Sequence, residues 1–391
     1  MYTLIIFLII LSILVIAHEF GHFFTARKAG MRVFEFGLGF PPRAFGFYKD
    51  PKTKKWIFVK GRGKSSLKET IGGDGAMEEY PDTLYSVNWL PLGGFVKIKG
   101  ENGENPDDKD SFGYHKPWKR FVVVVAGVTM NVILAGVLLG FGFMIGLPMD
   151  ISEFKDSQAI VGQSEVVIQE VSKDSPANKA GIEFGDKVIS INGEKMVNTE
   201  KLVNYVREKG GVEMEIKVLR ANKEMTFKAI PSILEKHDDN VLRLGIISAD
   251  IATVRFPWYI SLYKGFEAAF FGFINIFTLF IVVIKNLIMG KGLAYDVSGP
   301  VGIATIIGQS ARLGINYLIN TAAMLSLTLA VINILPIPAL DGGRAFFILI
   351  EGITRRVIPI KYEQLAHTIG FALLMLLVLV VTVQDVFKLV R

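Results

Sequence analysis

Cysteine is absent from the 391-residue sequence, and histidine is scarce. Without cysteine the chain cannot form disulfide bonds, thiolate metal sites or a cysteine nucleophile. Any metal ion must therefore be bound by histidine, aspartate or glutamate, and the chain offers five histidines for this purpose.

Charged residues are also few, and they are unevenly placed. They make up 20% of the chain, whereas hydrophobic residues make up 51% and the mean hydropathy is +0.41. Several apolar runs approach the roughly 20 residues that a bilayer-crossing helix needs. The formal charge is +6, but lysine and arginine gather beside the apolar runs, which indicates membrane topology and not nucleic-acid binding. We predict an integral membrane protein with no nucleic-acid partner.

The first apolar run lacks the marks of a cleaved signal peptide. No basic residue precedes it, no small-residue cleavage site follows it, and Arg27, Lys28 and Arg32 come directly after it. Because positive residues favour the cytoplasmic side, residues 1–25 are predicted to form a retained transmembrane helix whose N-terminus lies outside.

Two of the five histidines lie near the end of this helix. His18 and His22 enclose Glu19 in the stretch LVIAHEFGHFFTARKAG, residues 14–30. A spacing of four places both imidazoles on one helix face about one turn apart, where a tetrahedral zinc ion can bridge them. Ionisable residues inside a span are costly, so the pattern predicts a catalytic zinc site with Glu19 as its base, and not a coincidence.

A catalytic zinc ion normally has three protein ligands, so a third must come from elsewhere in the chain. The strongest candidate is Asp341 in NILPIPALDGGR, residues 333–344, where Pro336 and Pro338 break a predicted span. Broken backbone at membrane depth is tolerated where it is buried in protein or lines a cavity. An ordinary span end with a proline-rich exit is the alternative.

Two polar regions separate the apolar runs. Residues 26–118 contain WLPLGGFVKIKGE at 89–101, which predicts a β-hairpin at the Pro-Leu-Gly-Gly bend, preceded by a polar insertion or flexible loop. Residues 155–240 alternate like a soluble α+β module, with a strand at 212–220, a helix at 199–208 and turns at 192–193 and 210–211. The segment DSPANKAGIEFGDKVISINGEKM in this module resembles the PDZ domains of bacterial membrane and HtrA-type proteases.

Taken together, these motifs resemble the site-2 protease family of intramembrane zinc metalloproteases, in its bacterial RseP-like form. The resemblance rests on HEFGH at 18–22, PLGGF at 91–95, the PDZ-like insertion, and residues 333–343. It covers most of the chain. The family usually has Gly-Pro-x-x-Asn on its second span, whereas this chain has Gly127-Val128-Thr129-Met130-Asn131. Residues 48–82 also make the first polar block longer than is usual in the family.

The resemblance implies a polytopic α-helical membrane protein with a membrane-associated β-hairpin region and one inserted α+β PDZ domain. The helix carrying Asp341 must enter from outside if Asp341 is to meet His18 and His22 near the cytoplasmic side. On that parity the apolar residues 262–289 do not cross the bilayer, and both termini lie outside. The predicted parts are transmembrane helices at 1–25, 119–148, 313–345 and 363–388, a cytoplasmic or re-entrant region at 26–118, an extracytoplasmic PDZ domain at 155–240, and a peripheral amphipathic segment at 255–312.

The resemblance also implies roles for particular residues. His18, His22 and Asp341 would bind one catalytic zinc ion, and Glu19 would act as general base. Substrate would be bound by Asn333 and by the bend at Gly93, Gly94 and Phe95, which would pair with an unwound substrate segment. Asn131 would assist there, or would be an interhelical hydrogen bond.

The implied substrates are transmembrane segments of single-pass proteins in the bacterial cytoplasmic membrane, such as anti-sigma factors already shortened by another protease. The PDZ domain would either exclude proteins with large outer domains or bind a peptide or substrate C-terminus. His115, His237 and His367 receive no catalytic role.

Two other functions compete with proteolysis. A PDZ-containing membrane binding or scaffold protein would hold a structural metal ion or none, but a structural zinc site needs no adjacent base and is closed by a fourth protein ligand. A transporter would show repeated or inverted halves, and none is visible in the sequence.

Overall fold

The structure is a computed structural model that describes residues 2–61, 80–152, 156–220, 223–233, 241–290, 299–356 and 358–390. The described part excludes much of the predicted insertion within 48–82, the segment with His237, and part of the predicted peripheral segment. The chain divides into two compact units. The first contains Met1–Val137, Phe266–Gly308 and Ala322–Arg391, and the second contains Leu138–Gly265 and Gln309–Thr321.

Long apolar helices dominate the described chain. In order, the helices are α1 (Tyr2–Ala29), α2 (Pro117–Ile145), α3 (Pro176–Ala180), α4 (Thr199–Glu208), α5 (Trp258–Ile288), α6 (Pro300–Leu313), α7 (Ile315–Ile334), α8 (Asp341–Thr354) and α9 (Ile360–Val390). Five of them, α1, α2, α5, α7 and α9, are long and apolar enough to cross a membrane. The chain is therefore a multi-pass membrane protein.

Helix α5 lies where the sequence predicts a peripheral segment, so five described helices qualify as spans against the four predicted. Helices α1 and α2 run antiparallel, because His18 contacts Asn131 whereas His22 contacts Val123. Helix α5 starts beside the C-terminal part of α2, where a β-carbon on Gly136 would lie 2.5 Å from the Phe266 ring.

Helix α6 then returns the chain to the same end of the first unit. A β-carbon on Gly308 would lie 2.5 Å from Thr3 Cγ2, at the start of α1. The two contacts lie at one end of the antiparallel pair α1 and α2. Phe266 and Gly308 thus lie at the same end of this helix pair, although α5 alone is long enough to span. The predicted parity stays a prediction. The four-span count stays a prediction.

The first unit contains a sheet of two long strands, β1 (Val33–Lys49) and β3 (Leu84–Ile98), and one short strand, β2 (Trp56–Lys60). β1 and β2 form a hairpin through the turn at 50–55. β1 and β3 each double back, so residues 84–87 pair with both 35–38 and 45–47, while 94–98 pair with 33–38. The bend predicted near Pro91 and Gly94 is present.

The pairing predicted at that bend is wrong, because its two arms do not pair with each other. Residues 33–38 lie between them and use both strand edges. Alternation of side chains predicts that a segment is a strand, but it does not identify the partner strand. The arm at 94–98 consequently forms one edge of the sheet.

A buried cluster joins α1 and α2 to this sheet and to α8. It contains Phe23, Ala26, Met31, Val33, Ile98, Phe112, Val123, Val124, Ala345 and Ile348. Burial of the valine, isoleucine, methionine and phenylalanine side chains among these stabilises the packing by about 1.5–3 kcal/mol each. The cluster fixes the C-terminal half of α1 against the start of α2 and the first turns of α8.

The second unit is the α+β module. Its strands are β4 (Leu147–Asp150), β5 (Ile160–Val161), β6 (Glu165–Val171), β7 (Lys187–Ile191), β8 (Glu194–Lys195), β9 (Met214–Arg220), β10 (Lys223–Ala229), β11 (Ser232–Ile233), β12 (Leu242–Arg243) and β13 (Ile246–Arg255). The main sheet has the order β10-β9-β7-β6-β13-β4. The module is therefore wider than the predicted 155–240, because β13 and β4 complete its sheet.

The helix predicted at 199–208 is confirmed as α4. Asn198 caps it by accepting a hydrogen bond from Lys201 N at 2.9 Å, and Leu202 and Val206 are buried one turn apart. The strand predicted at 212–220 is observed as β9. The PDZ identity of this module stays a prediction.

Candidate metal centre

Helix α1 places two imidazoles on one face near its C-terminal end. His18 Nε2 and His22 Nε2 lie 3.2 Å apart, and the two rings meet edge to face with centroids 4.9 Å apart. His18 is buried and His22 is half-buried. The spacing of four residues produces this convergence directly.

The break between α7 and α8 delivers a carboxylate to the same point. Asp341 is the first residue of α8, and its Oδ2 lies 2.9 Å from His18 Nε2 and 3.3 Å from His22 Nε2. Among the described residues, these three form a group with metal-ligand geometry, one donor atom from each lying within 4.8 Å of the others. The structure thus brings together the three residues that the sequence singled out.

The surroundings of His22 determine which of its nitrogens faces this point. His22 Nδ1 lies 2.9 Å from Val123 O, which is an acceptor, so Nδ1 carries a proton, and in the neutral ring the Nε2 lone pair is directed at Asp341. When both Nε2 atoms are unprotonated, the buried Asp341 Oδ2 has no hydrogen-bond donor. A carboxylate oxygen and imidazole lone pairs this close together repel one another, and either a proton or a metal cation between them removes the repulsion.

Zinc fits this donor set. Bonds of about 2.0–2.2 Å in a tetrahedral site separate the ligand atoms by about 3.3 Å, close to the spacing of these three atoms. Two histidines and one carboxylate are also a known ligand set of catalytic zinc, which leaves the fourth position open. These residues could therefore hold one zinc ion.

Helix α2 supports the histidines from behind through two residues that are four apart. A β-carbon on Gly127 would lie 2.3 Å from His22 Nε2 and 2.8 Å from His18 Nε2, so only glycine leaves room for both rings. Asn131 is buried and its amide lies 3.4 Å from His18 Nδ1.

The amide of Asn131 also has a buried Oδ1 that has no donor. When the amide is turned so that Oδ1 faces the ring, Oδ1 accepts His18 Nδ1–H and the Nε2 lone pair points at Asp341. The sequence predicts a substrate contact for Asn131, or an interhelical hydrogen bond. The structure places its side chain against His18 and not on the cavity.

Glu19 faces a cavity of about 210 Å³ that opens beside the three ligand candidates. Its carboxylate accepts a hydrogen bond from the backbone N–H of Val96 in the outer arm of β3. A β-carbon on Gly94 would lie 3.6 Å from Glu19 Cγ, so this arm runs closely alongside α1. The cavity is lined by His18, Glu19, His22, Phe95, Val96, Ile98, Glu101, Phe112, Val123, Val124, Asp341 and Arg344.

The other residues predicted to bind substrate are found around this cavity. Phe95 lines it, and Gly93 packs beside Phe40 and Val15 on the bend of β3. Asn333 Nδ2 lies 3.5 Å from His18 Nε2, on the last turns of α7. All of them are within the first unit.

The sequence analysis missed three residues that the structure places here. Glu101 and Arg344 form an ion pair on the cavity wall, and Gly127 makes room for the histidines. Arg344 ends the stretch NILPIPALDGGR, but the sequence motifs assigned it no role. Its position on the first turn of a helix that starts at a candidate ligand was the available clue. The spacing of four between Gly127 and Asn131 was the clue for Gly127.

Comparisons with known proteins agree with the geometry. The sequence profile of peptidase family M50 matches residues 6–60 and 76–377. A Clostridium perfringens protein whose name describes a zinc metalloprotease is 34% identical over 380 residues, which cover 97% of each chain. The regulator of sigma-W protease RasP of Bacillus subtilis is 30% identical over 440 residues and covers 99% of each chain. The zinc metalloprotease RasP of Bacillus licheniformis is also 30% identical over 440 residues, with all of both chains covered.

Proposed function

The chain belongs to peptidase family M50 and is a zinc metalloprotease of the site-2 type, and we propose that it cleaves peptide bonds within transmembrane segments. In this proposal His18, His22 and Asp341 bind one zinc ion and Glu19 is the general base. The observation that carries the proposal is the convergence of Asp341 Oδ2 on both imidazoles at 2.9 and 3.3 Å, beside a glutamate that faces a cavity.

Zinc bound there supplies Lewis-acid polarisation of a carbonyl and lowers the pKa of a bound water toward neutrality. The chain itself supplies proton transfer. A carboxylate oxygen of Glu19 accepts a proton from the attacking water and then donates it to the nitrogen of the leaving amine. The hydrogen bond from Val96 N–H holds that carboxylate at the cavity while it does so.

The outer arm of β3 supports a role in binding an unwound substrate. A transmembrane helix ties up its own carbonyls in hydrogen bonds, so the scissile segment must become extended before it reaches Glu19. Residues 94–98 pair with β1 on one side, and Val96 N–H points away from β1 toward α1. An extended segment can add to this edge as a further strand, with Phe95 against its side chains and Asn333 near its backbone.

We assign the α+β module a role in selecting which substrates reach the site. As a PDZ domain it would either exclude proteins with a large outer domain or bind a peptide or substrate C-terminus. We place it outside the cytoplasmic membrane of a bacterium, on the parity of the predicted spans. The substrates would be single-pass membrane proteins that another protease has already shortened.

The name of the Bacillus subtilis relative favours regulatory substrates. That protein is named as a regulator of sigma-W, which connects its activity to a transcription factor. Anti-sigma-factor-like membrane proteins are therefore the substrates that we propose. Release of the regulator from the membrane would be the outcome of the cleavage.

Cleavage of a reporter tests this function directly. Single-span reporters with short outer domains are coexpressed with the wild type, with Glu19→Gln, or with Glu104→Gln, whose side chain is exposed. We expect a shortened fragment with the wild type and Glu104→Gln only. Zinc content should be unchanged in Glu19→Gln, because its three proposed ligands remain.

Other outcomes would lead to different conclusions. Equal cleavage by the wild type and by Glu19→Gln would remove Glu19 from the mechanism. A protein that holds zinc but cleaves no reporter would favour the binding or scaffold function, in which the metal is structural.

A further inference from the structure

We propose that His367 is a positioning residue that holds a strained turn in place so that Asp341 reaches the two histidines. The inference rests on the proposed function, since it assumes that Asp341 binds zinc. His367 lies on α9, and the sequence analysis gives it no role. It would act on the site through the backbone, without touching substrate or metal.

The turn before Asp341 adopts a conformation that its sequence disfavours. Leu340 N donates to Ile337 O at 3.2 Å, which closes a four-residue turn with Pro338 at its second position. Ala339 occupies the third position with φ of +80°. A turn of this type normally has glycine there, because a side chain at positive φ costs about 1–2 kcal/mol.

A hydrogen bond from outside the turn stabilises this conformation. Ala339 N donates to His367 Nδ1 at 2.8 Å. The third-position N–H of such a turn has no partner within the turn, so the imidazole supplies the acceptor that it needs. Nδ1 can accept only in the tautomer that carries its proton on Nε2.

Neighbouring charges favour that tautomer. His367 Nε2 lies 3.9 Å from Glu363 Oε1, one turn earlier on α9. Glu363 Oε1 in turn lies 3.7 Å from Arg344 Nε on the first turn of α8. A carboxylate on the Nε2 side stabilises a proton there and leaves Nδ1 as the acceptor.

A second contact fixes α9 at the distance that the hydrogen bond requires. Gly370 lies one turn after His367, and a β-carbon on it would be 2.4 Å from Pro338 O. The helix therefore packs directly on the backbone of the turn. Pro338 and Ala339 are both held by α9, through two different residues.

The position of Asp341 depends on this turn, because only Leu340 separates it from Ala339. A change of φ at Ala339 would rotate the start of α8 and move the Asp341 carboxylate away from His18 and His22. Groups that orient metal ligands in this way typically affect metal affinity by about 10- to 100-fold.

Near-isosteric substitutions at His367 separate the hydrogen bond from packing. His367→Asn keeps an acceptor oxygen near the position of Nδ1, whereas His367→Leu has a similar shape and no acceptor. Thr368→Val is the matched control, because the Thr368 hydroxyl bonds within its own helix to Gln364 O. Ala339→Gly combined with His367→Leu tests the turn, since glycine adopts positive φ without strain.

The measurements are zinc affinity of the purified full chain, by competition with a chromophoric chelator, and the visible spectrum of the cobalt-loaded protein. We expect His367→Leu to weaken zinc binding about 10- to 100-fold and to alter the cobalt spectrum. His367→Asn and Thr368→Val should resemble the wild type. Adding Ala339→Gly to His367→Leu should recover affinity.

Three results would overturn the inference. His367→Leu could bind zinc as tightly as the wild type, His367→Asn could be as weak as His367→Leu, or Ala339→Gly could fail to recover affinity. If His367→Leu does not fold, recovery of a folded, zinc-binding protein by adding Ala339→Gly supports the inference and its failure overturns it. A wild type that binds no zinc would instead refute the proposed function.

Discussion

Gly127 on α2 lies directly against the rings of His18 and His22, so no larger side chain fits at this position. A β-carbon there would lie 2.3 Å from His22 Nε2, a distance that no relaxed structure permits. We expect Gly127→Ala to displace the imidazoles and to lower zinc affinity about a hundredfold while the helix itself still forms. Zinc content after dialysis against a chelator would measure this.

Gly352→Ala is the control for that substitution. It adds a β-carbon to a helix of the same unit, where the nearest atom, Pro117 Cβ, would be 3.8 Å away. Zinc content should equal that of the wild type. A loss as large as that of Gly127→Ala would show that added volume in the helices, and not contact with the histidines, weakens the site.

Asn131 can be tested for its two alternative roles. If its Oδ1 accepts His18 Nδ1–H, Asn131→Leu should lower zinc affinity about 10- to 100-fold, whereas Asn131→Asp keeps an acceptor and should bind zinc well. If Asn131 binds substrate, both variants should keep wild-type zinc affinity and raise KM. Metal titration and reporter kinetics on the same preparations distinguish the two.

The convergence of side chains was predictable where it depends on local spacing or on a visible break in a span. His18 and His22 were identifiable because four residues make one helical turn, and Asp341 because prolines interrupt a span just before it. Glu101 and His367 were not identifiable in this way, and for Gly127 the spacing of four from Asn131 was the available clue. Their importance comes from distances between helices that are far apart in the sequence.

The stability of the α+β module involves one buried charged residue, Asp186. Asp186, the residue directly before β7, is fully buried and accepts hydrogen bonds from Arg220 at 2.6 and 2.7 Å. This carboxylate raises the pKa of Arg220 above its usual range. A buried carboxylate without its cation is strongly destabilising.

We therefore expect Arg220→Met to lower the free energy of unfolding of this module by about 3 kcal/mol. Hydrogen exchange of β7 and β9 amides in the intact protein would detect the loss. Lys228→Met is the control, because Lys228 and Glu213 pair at 3.3 Å with side chains that are 64% and 55% exposed. It should change stability by less than about 0.5 kcal/mol, and equal effects of the two variants would contradict the argument.

Secondary-structure elements were predictable where the evidence for them, such as a cap or a spacing of buried residues, lies within one segment of the sequence. Helix α4 has a capping asparagine and two buried residues one turn apart, and its bounds were correct. The partner of β3 was not predictable, because residues 33–38 can pair along both edges and the alternation of 84–98 is the same in either arrangement. That β13 belongs to the module was not predicted either, because its pattern does not identify β6 as its partner strand.

The predicted side of the membrane for each loop can be tested by labelling single introduced cysteines, because the sequence contains no cysteine of its own. Single cysteines at Lys209 and Arg312 should react with an impermeant maleimide in intact cells. Cysteines at Thr53 and Arg356 should react only after permeabilisation. If the cysteine at Arg312 behaves like the one at Thr53, residues 258–313 make a net crossing and the predicted parity is wrong.

The donors of the metal centre come from opposite ends of the chain. His18 and His22 are made early in translation, whereas Asp341 follows more than 300 residues later, after the fourth of the five long helices. Two imidazoles alone do not complete a three-ligand zinc site. If His18, His22 and Asp341 are the zinc ligands, a ribosome-bound chain that has not yet inserted α7 and α8 lacks a finished centre. Such a chain would be inactive towards neighbouring membrane proteins at that stage of its synthesis.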